Sequence, residues 1–264
     1  NNLNEYLCTK LIQLDKRWRI GVVSYFNTQP LLLGIEKANF LSKIELVKDY
    51  PANIAQALMD GQIDIGLVPV AITPFLTHPH IVSDYCIGTR TKVASVAIFS
   101  KVPMDQIECI YLDYQSRTSV QLARILLQEF WKKDIQFLKA QEGYIQVIEG
   151  TTAGVIIGDR ALANLTSFEY VYDLGEAWIE HTGLPFVFAA WMSNQPIPDD
   201  FKTLFNNANA YGVEHIDEVL NQLPARKHGY NMETYYTKNI AYQLTDTMQQ
   251  GMQLFLEKVK QLAP

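Results

Sequence analysis

The stretch Asp113-Tyr-Gln-Ser-Arg-Thr-Ser-Val120 lies between a short apolar strand and a long amphipathic helix. The strand is predicted at Ile110–Leu112, and after the stretch apolar side chains recur at helical spacing for several turns. Ser116, Thr118 and Ser119 therefore cluster at a helix N-terminus, where unpaired backbone N–H groups and partial positive charge can hold a carboxylate or phosphate. Taken alone, the stretch is more simply interpreted as a Ser/Thr helix cap.

A second polar loop of similar character is Ser24-Tyr-Phe-Asn-Thr-Gln-Pro30, which follows an apolar strand and precedes an apolar helix. Asn27 or Thr28 ahead of a proline is also an ordinary helix start. Two such loops facing one cleft would suit a small acidic ligand. The recurrence of the pattern favours a binding site over two unrelated caps.

Strands and helices alternate in two series, which predicts parallel sheets with ligand loops at the carboxyl ends of the strands. The first series spans residues 19–69, and the second begins at residue 110. Two further apolar strands would cross between the series, near Ser95–Lys101 and Phe186–Trp191. The second of these strands is almost wholly apolar, so we expect it in the middle of a sheet.

We therefore expect an α/β fold of two lobes with the ligand in the cleft between them. Lobe 1 would comprise residues 17–97 and 188–264, and lobe 2 would comprise residues 98–187. Residues 1–16 would form a short leading helix, an N-terminal extension outside the main fold. After the second crossing only helices are predicted, the last of them opened by Thr245.

Composition limits the class of partner. The chain has 264 residues, 48% of them hydrophobic and 19% charged, which is enough apolar material for a sizeable core. The formal net charge is −6 and the 22 Lys and Arg residues form no basic run, which argues against nucleic acid or an anionic membrane as a partner. No apolar run reaches the ~18 to 20 residues that span a bilayer. The first residues also lack the apolar segment of a signal peptide, so we expect a cytoplasmic protein.

Several common chemistries lack their sequence patterns. The chain has no GxGxxG after its first strand and no GxxxxGK[ST], HExxH or GxSxG. The cysteines Cys8, Cys86 and Cys109 are far apart, and His78 and His80 form a close pair without further ligands. We therefore expect neither a metal nor a cofactor.

Two residues outside these loops each have two interpretations. Ser95 is a small hydroxyl residue within an apolar strand, and a buried serine bonded to backbone is commoner than a functional one. Asp159 follows the apolar strand that ends at Ile157, where it would either cap the next helix or contact a ligand in the cleft.

Five stretches together resemble one known family. They are Ser24–Pro30, Val93–Ser100, Ser116–Val120, Ile157–Leu162 and Asp173–Trp191. In this order they closely resemble chorismate dehydratases of menaquinone biosynthesis by the futalosine route. The resemblance implies a two-lobed fold like that of type II periplasmic binding proteins, used here as an intracellular enzyme. It does not extend to the C-terminal helices or the first residues.

The reaction that the resemblance implies removes water from chorismate to give 3-[(1-carboxyvinyl)oxy]benzoate. Chorismate is a dianion with a ring carboxylate, an enolpyruvyl carboxylate and a ring hydroxyl. Loss of that hydroxyl and of the hydrogen on the ether-bearing carbon aromatises the ring, which provides a large driving force. The enzyme must favour this loss over departure of enolpyruvate.

The expected substrate-binding residues come from the matched stretches. Thr118 and Ser119, with their backbone N–H groups, would bind a carboxylate, and Ser116 would assist them. Ser24 and Asp159 are the other residues expected to contact the substrate.

The expected catalytic residues are Asn27, which would hydrogen-bond the leaving ring hydroxyl, and Ser95, which would orient the substrate from the hinge. The matched loops offer no well-placed His, Lys or Glu as a general base, and a base must lie within hydrogen-bond reach of its proton. The enolpyruvyl carboxylate of the substrate would therefore take the proton. Asp159 is the alternative that the protein offers.

Other functions compete with this hypothesis. A non-catalytic solute-binding protein for small anions would share the fold. The related 1,4-dihydroxy-6-naphthoate synthase is expected to open with a loop of Cys-Pro-Asn-Asp character, from which Ser24–Pro30 departs. An effector-binding domain of a transcription regulator would need a helix-turn-helix or a basic segment, and neither accompanies the lobes. The sequence does not define an oligomeric state.

Overall fold

The computed structural model describes residues 16–38, 40–223 and 229–262. All but the last residue of the predicted leading helix lies outside these ranges. Within them the strands are β1 (Trp18–Val22), β2 (Ile44–Lys48), β3 (Ile65–Pro69), β4 (His80–Thr89), β5 (Val96–Ser100), β6 (Cys109–Leu112), β7 (Gln136–Lys139), β8 (Thr152–Ile157), β9 (Tyr170–Asp173), β10 (Phe186–Ser193) and β11 (Ala241–Gln243).

The α-helices in the described ranges are α1 (Gln29–Glu36), α2 (Pro51–Met59), α3 (Thr118–Glu129), α4 (Gly158–Asn164), α5 (Leu174–Thr182), α6 (Asp199–Glu214), α7 (Ile216–Gln222), α8 (Met232–Thr234) and α9 (Asp246–Gln261). A π-helix over Tyr235–Asn239 follows α8 directly. Short 3-10 turns over Phe26–Thr28 and Val70–Phe75 follow β1 and β3. None of the helices in the described ranges is both long and apolar enough to cross a membrane.

The strands form two mixed sheets. The larger sheet has the order β11-β4-β10-β3-β1-β2, and the smaller has the order β7-β6-β8-β5-β9. β1 pairs in parallel with β2 and β3, as β6 does with β7 and β8. β10 and β5 run antiparallel to both of their neighbours. The parallel pairing predicted for the two alternating series is confirmed for β1 to β3 and for β6 to β8. The two crossing strands, for which no direction was predicted, run antiparallel because the chain enters each of them from the other sheet.

The chain changes sheet twice in the described ranges. The first crossing lies between Thr89, at the end of β4, and Val96, at the start of β5. The second lies between Asp173, at the end of β9, and Phe186, at the start of β10. Both fall a few residues before the boundaries expected from the sequence. The two sheets confirm a two-lobed α/β fold, while the division into lobes at those boundaries stays a prediction.

The apolar strand β10 occupies the middle of the larger sheet, between β4 and β3, as its composition predicts. All of its residues except Ala189 are buried. The Phe186 ring packs edge-on against Trp178 and Phe255, with ring centroids 5.2 and 5.0 Å away. The C-terminal helix α9, which carries Phe255, is therefore anchored at the second crossing.

Two strands were not predicted. β4 shows no regular alternation of buried and exposed residues, and its pairing with β10 is interrupted by register shifts. β11 has three residues, which is too short for a periodic pattern, and it pairs with β4. The prediction of only helices after the second crossing is therefore wrong. The larger sheet ends on a strand from the C-terminal part of the chain.

Close helix packing fixes the loop before α1. A Cβ atom at Gly34 would lie 1.8 Å from the carbonyl oxygen of Ala208, and one at Gly212 would lie 1.7 Å from that of Pro30. Only glycine allows the α1 and α6 backbones to approach this closely. The contact holds the start of α1 in place, and the polar loop that precedes it is held with it.

Candidate active site

A cavity lies between the two sheets and is lined by residues from both of them. Apolar side chains from β3, β4 and β10 and from the ends of β1 and β8 form much of its wall. Its polar lining residues are Tyr25, Asn27, Thr28, Ser95, Gln115, Ser116, Thr118 and Ser119. None of the described residues that line it is Lys, Arg, His, Asp or Glu. The cavity thus offers hydroxyl and amide groups in place of charge.

Most of the residues expected at the site are brought together here. Those that line the cavity are Asn27, Ser95, Ser116, Thr118 and Ser119. Ser24 and Asp159 do not line it. The two polar loops identified in the sequence therefore do face one cleft, one from each sheet.

Ser24 lies on the other side of its loop. It is exposed and borders a separate surface groove together with Phe26 and Glu36. Val23 and Tyr25 line the cavity instead, because successive side chains of extended backbone point in opposite directions. Ser24 thus lies outside the cavity lining, and its contact with the substrate stays a prediction.

Asp159 joins the two lobes. It lies in the first turn of α4, whose N-cap residue is Ile157. Its Oδ1 atom accepts a hydrogen bond from the Phe26 backbone N–H at 3.0 Å. The capping interpretation is therefore wrong, and Asp159 holds the loop before α1 from the opposite lobe.

The hydroxyl groups at the start of α3 have backbone partners. Ser116 Oγ accepts a hydrogen bond from the Ser119 N–H at 3.0 Å. Thr118 Oγ accepts one at 3.2 Å from the N–H of Ala71, in the turn after β3. The first bond supports the helix-cap interpretation for Ser116. The second gives Thr118 a role in holding the lobes together.

Ser95 and Asn27, here called the hinge pair, differ from the helix start. Ser95 is fully buried immediately before β5, and its Oγ atom has no hydrogen-bond partner among the described residues. The same holds, within those residues, for the buried Oδ1 atom of Asn27. The ordinary explanation for Ser95, a hydroxyl bonded to backbone, is therefore not what the structure contains. Both atoms belong to residues that line the cavity.

The backbone around Ser95 is held by Asp173. Its carboxylate accepts hydrogen bonds from the N–H groups of Val93 at 3.1 Å and Ala94 at 2.7 Å. Ala94 has a φ angle of 64°, in the left-handed region that non-glycine residues rarely adopt. Burial raises the pKa of Asp173, and these backbone N–H groups oppose the rise. Asp173 therefore stabilises an unfavourable backbone conformation directly before Ser95.

Tyr25 and Gln115 connect the lobes across the cavity. The Tyr25 hydroxyl donates a 2.6 Å hydrogen bond to Gln115 Oε1. Arg160 donates to the same Gln115 oxygen at 3.0 Å and forms a salt bridge with Asp113 at 2.8 Å. Burial raises the pKa of Tyr25, and the charge of Arg160 lowers it. The phenol stays protonated and can donate this bond at neutral pH.

Gly158 lies beside the Tyr25 ring, next to this contact between the lobes. Its N–H donates a 2.7 Å hydrogen bond to the Ser95 carbonyl oxygen. It has a φ angle of 63°, and a Cβ atom there would lie 3.4 Å from the Tyr25 ring. A glycine at this position meets the backbone requirement.

Tyr25 and Gln115 lie in the two polar loops, but no role is predicted for either of them from the sequence. Their hydrogen bond joins residues 90 positions apart, which no local pattern predicts. Both residues follow a strand and stand beside predicted site residues, and this position could have indicated a role for them. No group of three or more His, Cys, Asp or Glu residues in the described ranges could hold a metal ion.

The two sheets and the intervening cavity define a protein of the periplasmic-binding-protein fold. A Candida albicans gene product described as having the generic form of that fold has a TM-score of 0.59 and 13% identity, covering 94% of this chain and 91% of that chain. A protein from Archaeoglobus fulgidus has a TM-score of 0.72 and 13% identity, with coverage of 92% and 96%. The aliphatic sulphonate binding protein SsuA of Escherichia coli has a TM-score of 0.55 and 15% identity, covering 92% of each chain. These likenesses show the fold, as expected from the sequence.

The sequence comparisons identify the protein family, which is more specific than the fold. Residues 18–261 match the family described as menaquinone biosynthesis, and the chain belongs to that family. A chorismate dehydratase from Thermus thermophilus is 26% identical, and the alignment covers 90% of this chain and 93% of that protein. The suspected family is thereby confirmed. The match also includes the C-terminal part of the chain, where the sequence motifs gave no information.

Proposed function

We propose that the protein dehydrates chorismate to 3-[(1-carboxyvinyl)oxy]benzoate as a cytoplasmic enzyme of menaquinone biosynthesis. The observation that carries the proposal is the interlobe cavity, whose polar lining consists of hydroxyl and amide groups without a charged side chain. The similarity to the chorismate dehydratase of Thermus thermophilus supports the same substrate. A cavity of this kind favours a reaction in which the substrate provides its own charged groups.

Substrate binding is assigned to the start of α3. Its helix dipole and the hydroxyls of Ser116, Thr118 and Ser119 favour a carboxylate at this end of the cavity. Because Ser116 already holds the Ser119 N–H, the carboxylate would be received by a helix start that is formed before binding. Ser24 is left out of the binding set because it faces another groove.

The chemistry is assigned to the hinge pair. Asn27 would hydrogen-bond the departing ring hydroxyl, and Ser95 would hold the ring beside it. Their buried oxygens have no competing bond within the described residues, and both residues line the cavity. Such groups are available to the substrate without first breaking a bond within the protein.

The proton transfer is assigned to the substrate itself. The enolpyruvyl carboxylate takes the proton from the ether-bearing ring carbon, and the electron pair of that C–H bond enters the ring. The C–O bond to the ring hydroxyl then breaks, and the leaving hydroxide takes that proton from the enolpyruvyl carboxylic acid to become water, which restores the carboxylate. One water is lost and the ring becomes aromatic. No base among the described lining residues competes for this role.

Asp159 is the protein base that this proposal must exclude. Asp159→Asn keeps an oxygen that can accept the Phe26 N–H, so the loop contact is preserved while the basic carboxylate is removed. We expect turnover to persist in this variant. Loss of turnover with chorismate binding intact would show that Asp159 is the base.

The proposed function is tested by incubating the purified protein with chorismate and identifying the products by chromatography with mass detection. We expect a product lighter by one water that retains the enolpyruvyl group. Unchanged chorismate with folded protein would refute the proposal. Calorimetry with chorismate would then detect a solute-binding protein, and turnover of the cyclic futalosine derivative would identify a 1,4-dihydroxy-6-naphthoate synthase.

A further inference from the structure

The segment around the π-helix contacts both places from which the hinge pair comes. The Tyr242 hydroxyl donates a 3.0 Å hydrogen bond to the carbonyl oxygen of Asn27. Asn239 Nδ2 donates one at 2.8 Å to the carbonyl oxygen of Lys92, in the first crossing. The C-terminal segment therefore ties the loop before α1 to the chain just before Ser95. A π-helix is rare and is found frequently at functional sites.

Tyr235 begins this π-helix and is fully buried. Its hydroxyl has no hydrogen-bond partner in the part of the chain that the structure describes, just like the side-chain oxygens of Ser95 and Asn27. Tyr235 stands four residues before Asn239 and seven before Tyr242, which bond to the chain beside Ser95 and to Asn27. Burial raises the pKa of Tyr235, and hydrogen-bonding contact with Ser95 and with Asn27 opposes the rise. Three buried polar groups thus lie together at the hinge, outside hydrogen-bond geometry with one another.

A buried hydroxyl without a partner is unfavourable, so such groups are rare in native proteins. A phenol can donate one hydrogen bond and also accept, and a serine hydroxyl can do the same. A small rotation would let the phenol donate to Ser95 Oγ and leave the Ser95 proton for the substrate. Tyr235 itself does not line the cavity, so it would act through its neighbours.

We propose that Tyr235 is a positioning residue whose hydroxyl donates to Ser95 Oγ and supports the Asn27 side chain, so that both face the substrate. The proposal rests on the proposed dehydratase function and deepens it. It gives the C-terminal segment, which has no recognisable motif, a part in the reaction. Tyr235 orients the groups that contact the reacting atoms and makes no contact with those atoms itself.

The test is the variant Tyr235→Phe, which keeps the ring and removes the oxygen. We expect kcat with chorismate to fall on the order of 10-fold, the effect of one lost hydrogen bond, while KM stays unchanged. The melting temperature should stay the same or rise, because the lost hydroxyl has no partner among the described residues. A role confined to packing of the ring would leave kcat unchanged, because the variant keeps the ring, and that result would overturn the proposal.

Tyr236→Phe is the matched control. Tyr236 is the next residue, is 2% exposed and also carries a hydroxyl without a partner among the described residues. Burial and the charge of Asp159 raise the pKa of Tyr236, and neither Ser95 nor Asn27 affects it. We expect wild-type kcat and KM in this variant. An equal loss of kcat in both variants would overturn the proposal.

A double-mutant cycle with Ser95→Ala tests whether Tyr235 acts through Ser95. In the Ser95→Ala background, Tyr235→Phe should cost less than it costs in the wild type, since only the support of Asn27 is left to lose. Multiplied losses would overturn the proposal. If Tyr235→Phe fails to fold, difluorotyrosine at position 235 keeps the hydroxyl and makes it a more acidic, stronger donor, which should change kcat. An unchanged kcat would then count against the proposal.

The same cycle separates this proposal from the proposed function. If the wild-type protein does not convert chorismate, the proposed function is refuted. The four proteins of the cycle are then compared by thermal unfolding. Contact between the two hydroxyls predicts that the shift of the double variant differs from the sum of the single shifts. Additive shifts would overturn the positioning proposal, whatever reaction the protein catalyses.

Discussion

The start of α3 and the hinge pair line the same cavity, but their polar groups have different surroundings. At the helix start, Ser116 and Thr118 each accept a hydrogen bond from a backbone N–H. At the hinge, the oxygens of Ser95 and Asn27 are buried without a partner among the described residues. The polar groups at the helix start therefore have hydrogen bonds before a ligand arrives, whereas those at the hinge have none within the described residues.

This difference suggests different roles for the two regions, binding at the helix start and chemistry at the hinge. A buried polar group without a partner costs about 1–3 kcal/mol, so a protein that keeps such groups gives up stability at that place. Functional sites are where that cost is repeatedly found. We therefore assign the satisfied helix start to holding a carboxylate and the unsatisfied hinge to the bond that breaks.

The largest effect should come from Ser95→Ala. We expect kcat to fall by about 10²–10³-fold, as when one preorganised polar group is removed from a transition state. The melting temperature should hold or rise, because the deleted hydroxyl has no partner among the described residues. Steady-state kinetics and thermal unfolding measure the two quantities.

Ser100→Ala is the matched control for this variant. Ser100 is equally buried on the next strand, but its Oγ atom accepts the Val102 N–H at 3.1 Å. We expect the opposite result: a stability loss of about 1 kcal/mol with kcat unchanged. If Ser95→Ala lost stability like Ser100→Ala and kept its kcat, the contrast between the two ends of the cavity would be wrong.

A smaller effect is expected at the helix start. Ser116→Ala removes the acceptor of the Ser119 N–H and should lower the free energy of unfolding by about 1 kcal/mol. KM should rise about 10-fold with little change in kcat, since a weakened carboxylate site affects substrate and transition state alike. Urea unfolding and kinetics check both. A fall in kcat at constant KM would contradict this and show that the helix start takes part in the chemical step.

Tyr25→Phe should have a smaller effect still. It removes the hydrogen bond to Gln115 across the cavity, which we expect to raise KM by roughly 3-fold to 10-fold. Tyr50→Phe, at a tyrosine that is 56% exposed on the same lobe, is the control and should match the wild type. Equal KM values for all three proteins would mean that this contact does not help to hold the lobes together around the substrate.

Asp64→Asn should change stability alone, and in a pH-dependent way. Burial would raise the pKa of Asp64, but hydrogen bonds from Arg19 and Lys16 outweigh it and hold the pKa below its ordinary value. A lowered pKa in the folded state gives stability that is present above the unfolded-state pKa of about 3.9 and is lost as the pH falls through the folded-state pKa.

The Asp64→Asn variant should therefore melt below the wild type at neutral pH, and the gap should close in acid. Its kcat should be unchanged, because Asp64 does not line the cavity. Thermal melts from acid to neutral pH measure the gap. A gap independent of pH would mean that the carboxylate charge contributes nothing to stability.

The sequence contained enough to predict most of the cavity. Asn27 and Ser116 follow apolar strands of the two different sheets, and ligand loops of α/β sheets lie at the carboxyl ends of their strands. The buried strand β10 was predicted from its unbroken apolar composition, and the structure confirms it in mid-sheet. The prediction of β10 succeeded because it depends on neighbouring residues only.

Other features depend on contacts between distant parts of the chain. The side of the loop on which Ser24 lies follows from where the extended backbone begins, and the partner of Asp159 lies 133 residues away. Tyr235 is in a segment without periodicity, and it approaches the hinge pair only because β11 joins the larger sheet. No local pattern predicts such a contact.

The central claim is that the helix start holds a carboxylate while the hinge faces the bond that breaks, and a crystal structure of the Ser95→Ala variant with chorismate tests it most directly. We expect a substrate carboxylate at Thr118 and Ser119 and the ring hydroxyl within hydrogen-bond distance of Asn27. Chorismate bound in the reverse orientation, with its ring hydroxyl at the helix start, would contradict the account.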